Sequence, residues 1–319
     1  SWDNDNDTIF GEPVYIGSTN SPENGTAGEE ADFFAEVYIG RATVDTPEEA
    51  GNFVNKTLWY EQTTDDNYLK KAVMMGEKLD DQTYGSNNKD LVTDLIPQYT
   101  TTRLYNRDAT FSATAVINSL NRGPHIANHD GHANANFVMG LDSTDVDGLN
   151  NTEYFMAYSV GCEAVAFDGG GGDAIAEHFM FNPHGAFAFV GNTRYGWYSR
   201  GTSSGPGDKF DREFFSVVNN TANNLGKALQ ISKENQFSTG MNDAKRWTYF
   251  VLVLLGDPET AIKTEIMAPT ADFSTLSGDQ LLNPPALKGV AELEGTAKRG
   301  TAVGATFKNY TIEFGTGTH

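Results

Sequence analysis

The chain has 319 residues, a formal net charge of −21, 39% hydrophobic and 12% aromatic residues, and one cysteine, Cys162. That length and apolar content suit one large domain and a small one, or two moderate domains, with a sizeable core, and exclude disorder as the default. The charge argues against nucleic-acid or anionic-membrane partners and fits a soluble exported protein, a salt-tolerant one or one that binds divalent cations.

Residues 1–30 read mostly as loop. Glu36-Val37-Tyr38-Ile39-Gly40 reads as a strand. A helix follows to about residue 61, because Thr46 can cap it, Pro47 stands at its first position and Glu49 completes a capping box. Residues 72–75 read as a buried strand, 91–96 as a helix, 100–105 as a strand and 113–120 as a helix leading to a strand near His125. Residues 155–160 read as the strand that delivers Cys162. A helix over 173–181, an apolar strand over 185–190 and helices over 209–219 and 222–236 follow. The apolar run 246–255 reads as helical, and its longest uninterrupted part, 249–255, is far too short to span a membrane. Short apolar strands alternating with helices predict a mostly parallel sheet with helices on both faces. After about residue 264, Pro, Gly and Thr interrupt short runs, the texture of a small antiparallel β segment that stops just past a strand-like run and reads as incomplete. Ser1 is not a start methionine, so the chain reads as a processed or trimmed product with its flanks missing.

Two strand ends carry chemistry. Met156-Ala157-Tyr158-Ser159-Val160-Gly161 leads to Cys162, and the run through His125 leads to Asn128-His129-Asp130-Gly131-His132. Ligands of parallel sheets bind beyond the carboxyl ends of the strands. A thiol and an imidazole delivered there are what a cysteine nucleophile and its base require.

Asn128-His129-Asp130-Gly131-His132 resembles the Asn-Tyr-x-Gly-His-Gly signature of gingipain-like cysteine peptidases, and Gly161-Cys162 with Phe167-Asp168 resembles their nucleophile segment. Glu36 to Arg41, residues 54–61, Ala174-Ile175-Ala176-Glu177 with Asn182-Pro183, and Leu255-Gly256-Asp257-Pro258 match the family in the same order. The resemblance implies an α/β, caspase-like three-layer sandwich with a mostly parallel sheet over residues 1–264, then a small immunoglobulin-like β-sandwich segment over 265–319. It implies thiol-dependent hydrolysis of protein or peptide substrates in an extracellular or cell-surface setting, with no cofactor for catalysis. Cys162 would be the nucleophile, His132 the proton donor to the leaving amine, and Glu77 the carboxylate that orients His132. Gly131 and Cys162 N–H groups would hold the oxyanion, and Trp197 would cover the substrate pocket. Family members that cut after Arg or Lys bind that side chain with an acid. Counting on from Glu77 reaches Gly85 or Asn88, neither acidic, so Asp80, Asp81 and Asp90 are the neighbouring substitutes. The family has Gly after the histidine; here Ala133 would put a methyl near the substrate backbone or the oxyanion site.

Asp3, Asp5 and Asp7, with Glu12 following, resemble the start of a calcium loop, with Thr8 where an EF-hand needs Gly. They read equally as a structural calcium site or a solvated acidic turn. The run Gly169 to Gly172 reads as a flexible loop. Two rival functions stand beside the peptidase. One is a metal enzyme using His125, His129, Asp130 and His132, although their spacing fits no zinc-protease pattern. The other is a catalytically weak or inactive surface or adhesion scaffold that retains the fold.

Overall fold

The computed structural model describes residues 33–169, 172–238 and 243–263, and two short strands at 270–272 and 296–298. Asp3, Asp5, Asp7 and Glu12 lie outside the described residues, as does the middle of the Gly169 to Gly172 run.

The chain enters through α1 (Pro47–Gln62), whose capping box is formed as expected: Thr46 Oγ1 accepts from Glu49 N–H at 3.2 Å, and the Glu49 carboxylate accepts from Thr46 N–H at 3.3 Å. There follow α2 (Asp66–Leu69), β1 (Lys71–Gly76), α3 (Gly85–Leu95), β2 (Thr100–Tyr105), α4 (Ala113–Leu120) and β3 (Ile126–Asp130). A small hairpin, β4 (Phe137–Val138) and β5 (Leu141–Asp142), precedes α5 (Ser143–Asp147), β6 (Phe155–Ser159), α6 (Ile175–Phe181) and β7 (Ala186–Asn192). Then come α7 (Pro206–Asn220), α8 (Leu225–Ser238), α9 (Asp243–Val251) and β8 (Leu252–Leu255). Beyond them, β9 (Thr270–Asp272) and β10 (Thr296–Lys298) pair antiparallel.

The central sheet runs β2-β1-β3-β6-β7-β8, parallel except for β8, which is antiparallel to β7. Successive strand residues point to opposite faces, so β1 sends Ala72 and Met74 into one core and Val73 and Met75 into the other. The first core is closed by Val92 of α3, Phe210 and Phe214 of α7, and Leu225 and Leu229 of α8. The second is closed by Val116 and Leu120 of α4 and by Ile175 and Phe179 of α6. The result is the three-layer α/β sandwich expected.

Two local expectations fail. Residues 246–255 are not one helix: the chain passes from α9 directly into β8 at Val251–Leu252. The run 36–40 forms no strand. Only Arg41 touches the sheet, donating from N–H to Leu254 O at 3.0 Å and accepting from Gly256 N–H at 2.9 Å. Val37 and Ile39 stand 63% and 73% exposed.

One buried cation ties α1 to the end of α6. Lys56 Nζ donates to the carbonyls of Phe179 (3.0 Å), Met180 (2.6 Å) and His184 (3.1 Å). Burial lowers its pKa to about 7. The unfolded chain therefore binds this proton more tightly than the folded one, and the contribution of Lys56 to stability grows as pH rises from about 7 toward the ordinary 10.5. Lys56→Met leaves three carbonyls without this donor and is expected to cost roughly 1–3 kcal/mol. Melting curves across that pH range should show the variant lacking the wild-type slope; parallel curves would contradict the assignment.

Candidate active site

The strand order makes β3 and β6 neighbours, with His129 opposite Ser159. The turns after both strands therefore meet at one sheet edge. His132 and Cys162 line a single cleft there, with Leu79 from the loop after β1 and Trp197 from the loop after β7.

The Cys162 turn is held from several sides. Asn192 Nδ2 donates to Val160 O (3.0 Å) and Gly161 O (3.1 Å). Gly161 N–H donates to Ser159 Oγ at 3.1 Å, and Glu163 N–H donates to Arg194 O at 2.9 Å. Glu163 takes φ of 54°, an uncommon conformation for a residue with a side chain, so the chain turns sharply just past the thiol. Gly196 passes so close that a methyl there would lie 2.2 Å from Val160 O. Cys162 Sγ donates to Gly196 O at 3.8 Å. Burial, reinforced by the Glu163 charge, pushes the thiol pKa up. The resting group is a thiol that needs a base, not a standing thiolate.

His132 is exposed, and its Nε2 lies 3.0 Å from Leu79 O. A carbonyl only accepts, so Nε2 carries hydrogen and the neutral ring keeps Nδ1 as its proton acceptor. The orienting group is thus the Leu79 carbonyl. Glu77 does not take that role: its Oε1 is bonded at 2.8 Å to Nε2 of the buried His129, whose Nδ1 lies 2.9 Å from Ser159 Oγ. Glu77 belongs to the support beneath the turns, and the expectation that it contacts His132 is corrected.

The proposed substrate acids are also corrected. None of Asp80, Asp81 and Asp90 lines the cleft with the thiol, and Asp90 pairs with Arg107 at 3.0 Å. Asp81 pairs with Lys78 at 3.0 Å on the surface. Asp80 accepts from Gln82 N–H (2.7 Å) and from Tyr198 Oη (3.0 Å), and so fixes the loop that carries Leu79 to the cleft wall at Tyr198. Trp197 does line the cleft, as do Gly131 and Cys162. Ala133 packs at the second core and faces Gly161, where an added Cβ would meet its methyl at 2.5 Å. It is not part of the cleft lining.

The cleft contains two acids, one that sequence reasoning named only as a metal-ligand candidate and one that it missed. Asp130, at the end of β3, and Asp208, in the first turn of α7, both line it. Both are almost fully buried, and Asp208 accepts from Gly205 N–H at 2.8 Å. Asp130 Oδ2 has no hydrogen-bond partner among the described residues. Burial raises both pKa values, that of Asp130 strongly. Both acids thus hold their protons above the ordinary carboxylate range. The nearby cations are committed elsewhere. Lys89 Nζ contacts Asp211 Oδ2 and Asn128 Oδ1, each at 2.5 Å, and Arg212 Nη1 bonds Asn88 Oδ1 (2.5 Å) and Ser203 O (2.7 Å).

The four residues of the metal-enzyme rival do not converge. His125 is buried, bonded through Nδ1 to Leu69 O (3.0 Å) and through Nε2 to Tyr60 Oη (2.8 Å), and burial lowers its pKa to about 3. His129 is taken by Glu77 and Ser159.

A largely parallel sheet covered on both faces, with a thiol and an imidazole on turns after two adjacent strands, places the chain in the class of caspase-like cysteine peptidase folds. The sequence model of peptidase family C25 matches residues 5–263, and the chain belongs to that family. Over 160 residues it is 28% identical to Lys-gingipain of Porphyromonas gingivalis, a stretch covering 44% of this chain and 8% of that protein. Over 109 residues it is 27% identical to gingipain R2 of the same organism, covering 32% of this chain and 15% of that one. The chain thus spans a small part of the length of these relatives. Among solved structures, the Arg-specific cysteine proteinase gingipain R superposes with a TM-score of 0.65 at 20% identity, over 76% of this chain and 59% of that one. A complex of the P. gingivalis pro- and mature domains gives 0.64 at 20% identity, over 76% and 60%. At that identity the likeness speaks for the fold. Among the described residues, no helix is long and apolar enough to cross a membrane.

Proposed function

We propose that the chain is a cysteine endopeptidase that hydrolyses peptide bonds through Cys162 and His132 and favours a basic residue on the acyl side of the cut. The observation that carries this reading is the meeting of both side chains in one cleft at the carboxyl edge of adjacent strands. In this reading His132 Nδ1 takes the Cys162 proton as the sulfur attacks the scissile carbonyl, and the imidazolium returns it to the leaving amine. Water then attacks the thioester, with His132 again the base, and restores the free thiol. The Gly131 and Cys162 N–H groups are the proposed oxyanion donors. Trp197 forms a wall of the substrate pocket.

The preference for a basic residue is supported by the Asp130–Asp208 pair in the cleft, not by Asp80 or Asp81. An entering ammonium or guanidinium group would displace a proton from this pair and take its place as the counter-charge. The family relatives include a Lys-gingipain and an Arg-specific proteinase, in keeping with such a pocket. The acidic composition supports an extracellular or cell-surface setting for this activity.

Digestion of a peptide library by the wild type and by Cys162→Ala tests the reading. Cleavage enriched after Lys or Arg, and absent from the variant, is the expected result. A wild type that cuts nothing would return the scaffold reading.

A further inference from the structure

We propose that His129 is a positioning residue for the nucleophile turn, acting through the Ser159 hydroxyl on the Gly161 amide; this rests on the peptidase reading of Cys162. His129 and Ser159 are fully buried neighbours on β3 and β6. Their bonds with Glu77 and Gly161 form a chain across three strand ends: Glu77 Oε1 to His129 Nε2 at 2.8 Å, His129 Nδ1 to Ser159 Oγ at 2.9 Å, and Ser159 Oγ to Gly161 N at 3.1 Å.

The two ends fix its direction. An ionised carboxylate only accepts and a backbone N–H only donates. With a neutral imidazole, Nε2–H donates to Glu77, the Ser159 hydroxyl donates to Nδ1, and Gly161 N–H donates to the hydroxyl oxygen. Each member is satisfied once in each role available to it, and such chains polarise along their length. Both turns of the cleft are packed on this chain. A methyl on Gly131, next to His132, would lie 2.3 Å from His129 Nε2 and 2.6 Å from Glu77 Cδ. A methyl on Gly161, next to Cys162, would lie 3.2 Å from Ser159 Oγ and 3.1 Å from Gly131 O.

Carboxylate, imidazole and hydroxyl stand here in the order of a serine-hydrolase triad. The hydroxyl is sealed from solvent, does not line the cleft, and already accepts from Gly161. The group it serves is therefore the neighbouring thiol.

Three variants test the link: Ser159→Ala, which removes the bonds of the hydroxyl to Gly161 and to His129 and leaves that of His129 to Glu77; His129→Phe, which removes the bonds of the ring to Glu77 and to Ser159; and His129→Gln, whose amide can donate to Glu77 and accept from Ser159. The measurements are kcat and KM on a fluorogenic peptide, the iodoacetamide alkylation rate of Cys162, and the melting temperature. Ser159→Ala should lose about tenfold and His129→Phe about a hundredfold in kcat with KM nearly unchanged, as expected for misplacement of reacting groups. His129→Gln should recover most of the loss. Folded Ser159→Ala and His129→Gln proteins that both keep wild-type kcat and alkylation rate would overturn the proposal, even if His129→Phe fails to fold. A loss in His129→Gln equal to that in His129→Phe would also overturn it. If the wild type cleaves no peptide, the peptidase reading fails separately. Alkylation then decides: a changed rate in Ser159→Ala upholds the link to the thiol, and an unchanged rate rejects it.

Discussion

Cys162→Ala is expected to lose at least about 10⁴-fold in kcat with its melting temperature unchanged, because the thiol makes the bond that splits the reaction into two easier steps. His132→Ala should approach the same loss. The Cys162 thiol pKa is raised, by burial first and by Glu163 next, so little thiolate exists without a base. The same shift sets the pH behaviour of the free protein. Alkylation of Cys162 should be slow at neutral pH and climb only as pH passes above the ordinary thiol value of 9.0. Peptide hydrolysis should set in at lower pH if, as proposed, His132 takes the proton during attack. Full activity in Cys162→Ala would end the thiol mechanism. A fast, pH-independent alkylation would show a standing thiolate and remove the need for His132 as base.

The second large effect concerns selectivity. Exchange of Asp130 and Asp208 together for Asn should lower the preference for Lys or Arg over an uncharged side chain of similar length by about a hundredfold or more, since a buried cation would lose its counter-charge. The pH dependence has a definite sign. Raised pKa values keep one proton on the pair above the ordinary carboxylate range. A substrate cation competes with that proton, so KM for basic substrates should fall as pH rises and level off once the pair is fully ionised. Burial is the main cause of those raised pKa values, and the nearby cations do not fill the cleft: Lys89 is bonded to Asp211 and Asn128, and Arg212 to Asn88 and Ser203. Substrates with an uncharged side chain should show no such trend. Identical KM profiles for both substrate types would remove the acidic pair from specificity.

The outline of the fold was legible because its signals are local. Thr46, Pro47 and Glu49 announce α1, and the apolar runs before His132 and Cys162 announce the strands that bring them together. Two boundaries escaped. Within the run 246–255 the stretch 249–255 is uninterrupted apolar, and a short run of that kind does not distinguish helix from strand. The run 36–40 has strand composition, but β8 offers it only the two bonds made by Arg41. The partner of Glu77 depended on register. Met75 lies opposite His129, and Glu77, two residues on, continues on the same side, so the carboxylate meets His129 before it can reach His132. Asp208 joins Asp130 from a helix far along the chain, and no spacing in the sequence announces that meeting.

The order of the strands also bears on how the molecule opens. β3 and β6 occupy the middle of the sheet, with β2 and β1 on one side and β7 and β8 on the other. Fluctuations that peel an outer strand or lift a covering helix cost less than those that part the centre, so the backbone amides of residues 126–129 and 155–159 should be the slowest to exchange with deuterated water. The thiol and its base hang from the segments that yield last. Partial opening elsewhere would leave them together, and their separation should coincide with global unfolding.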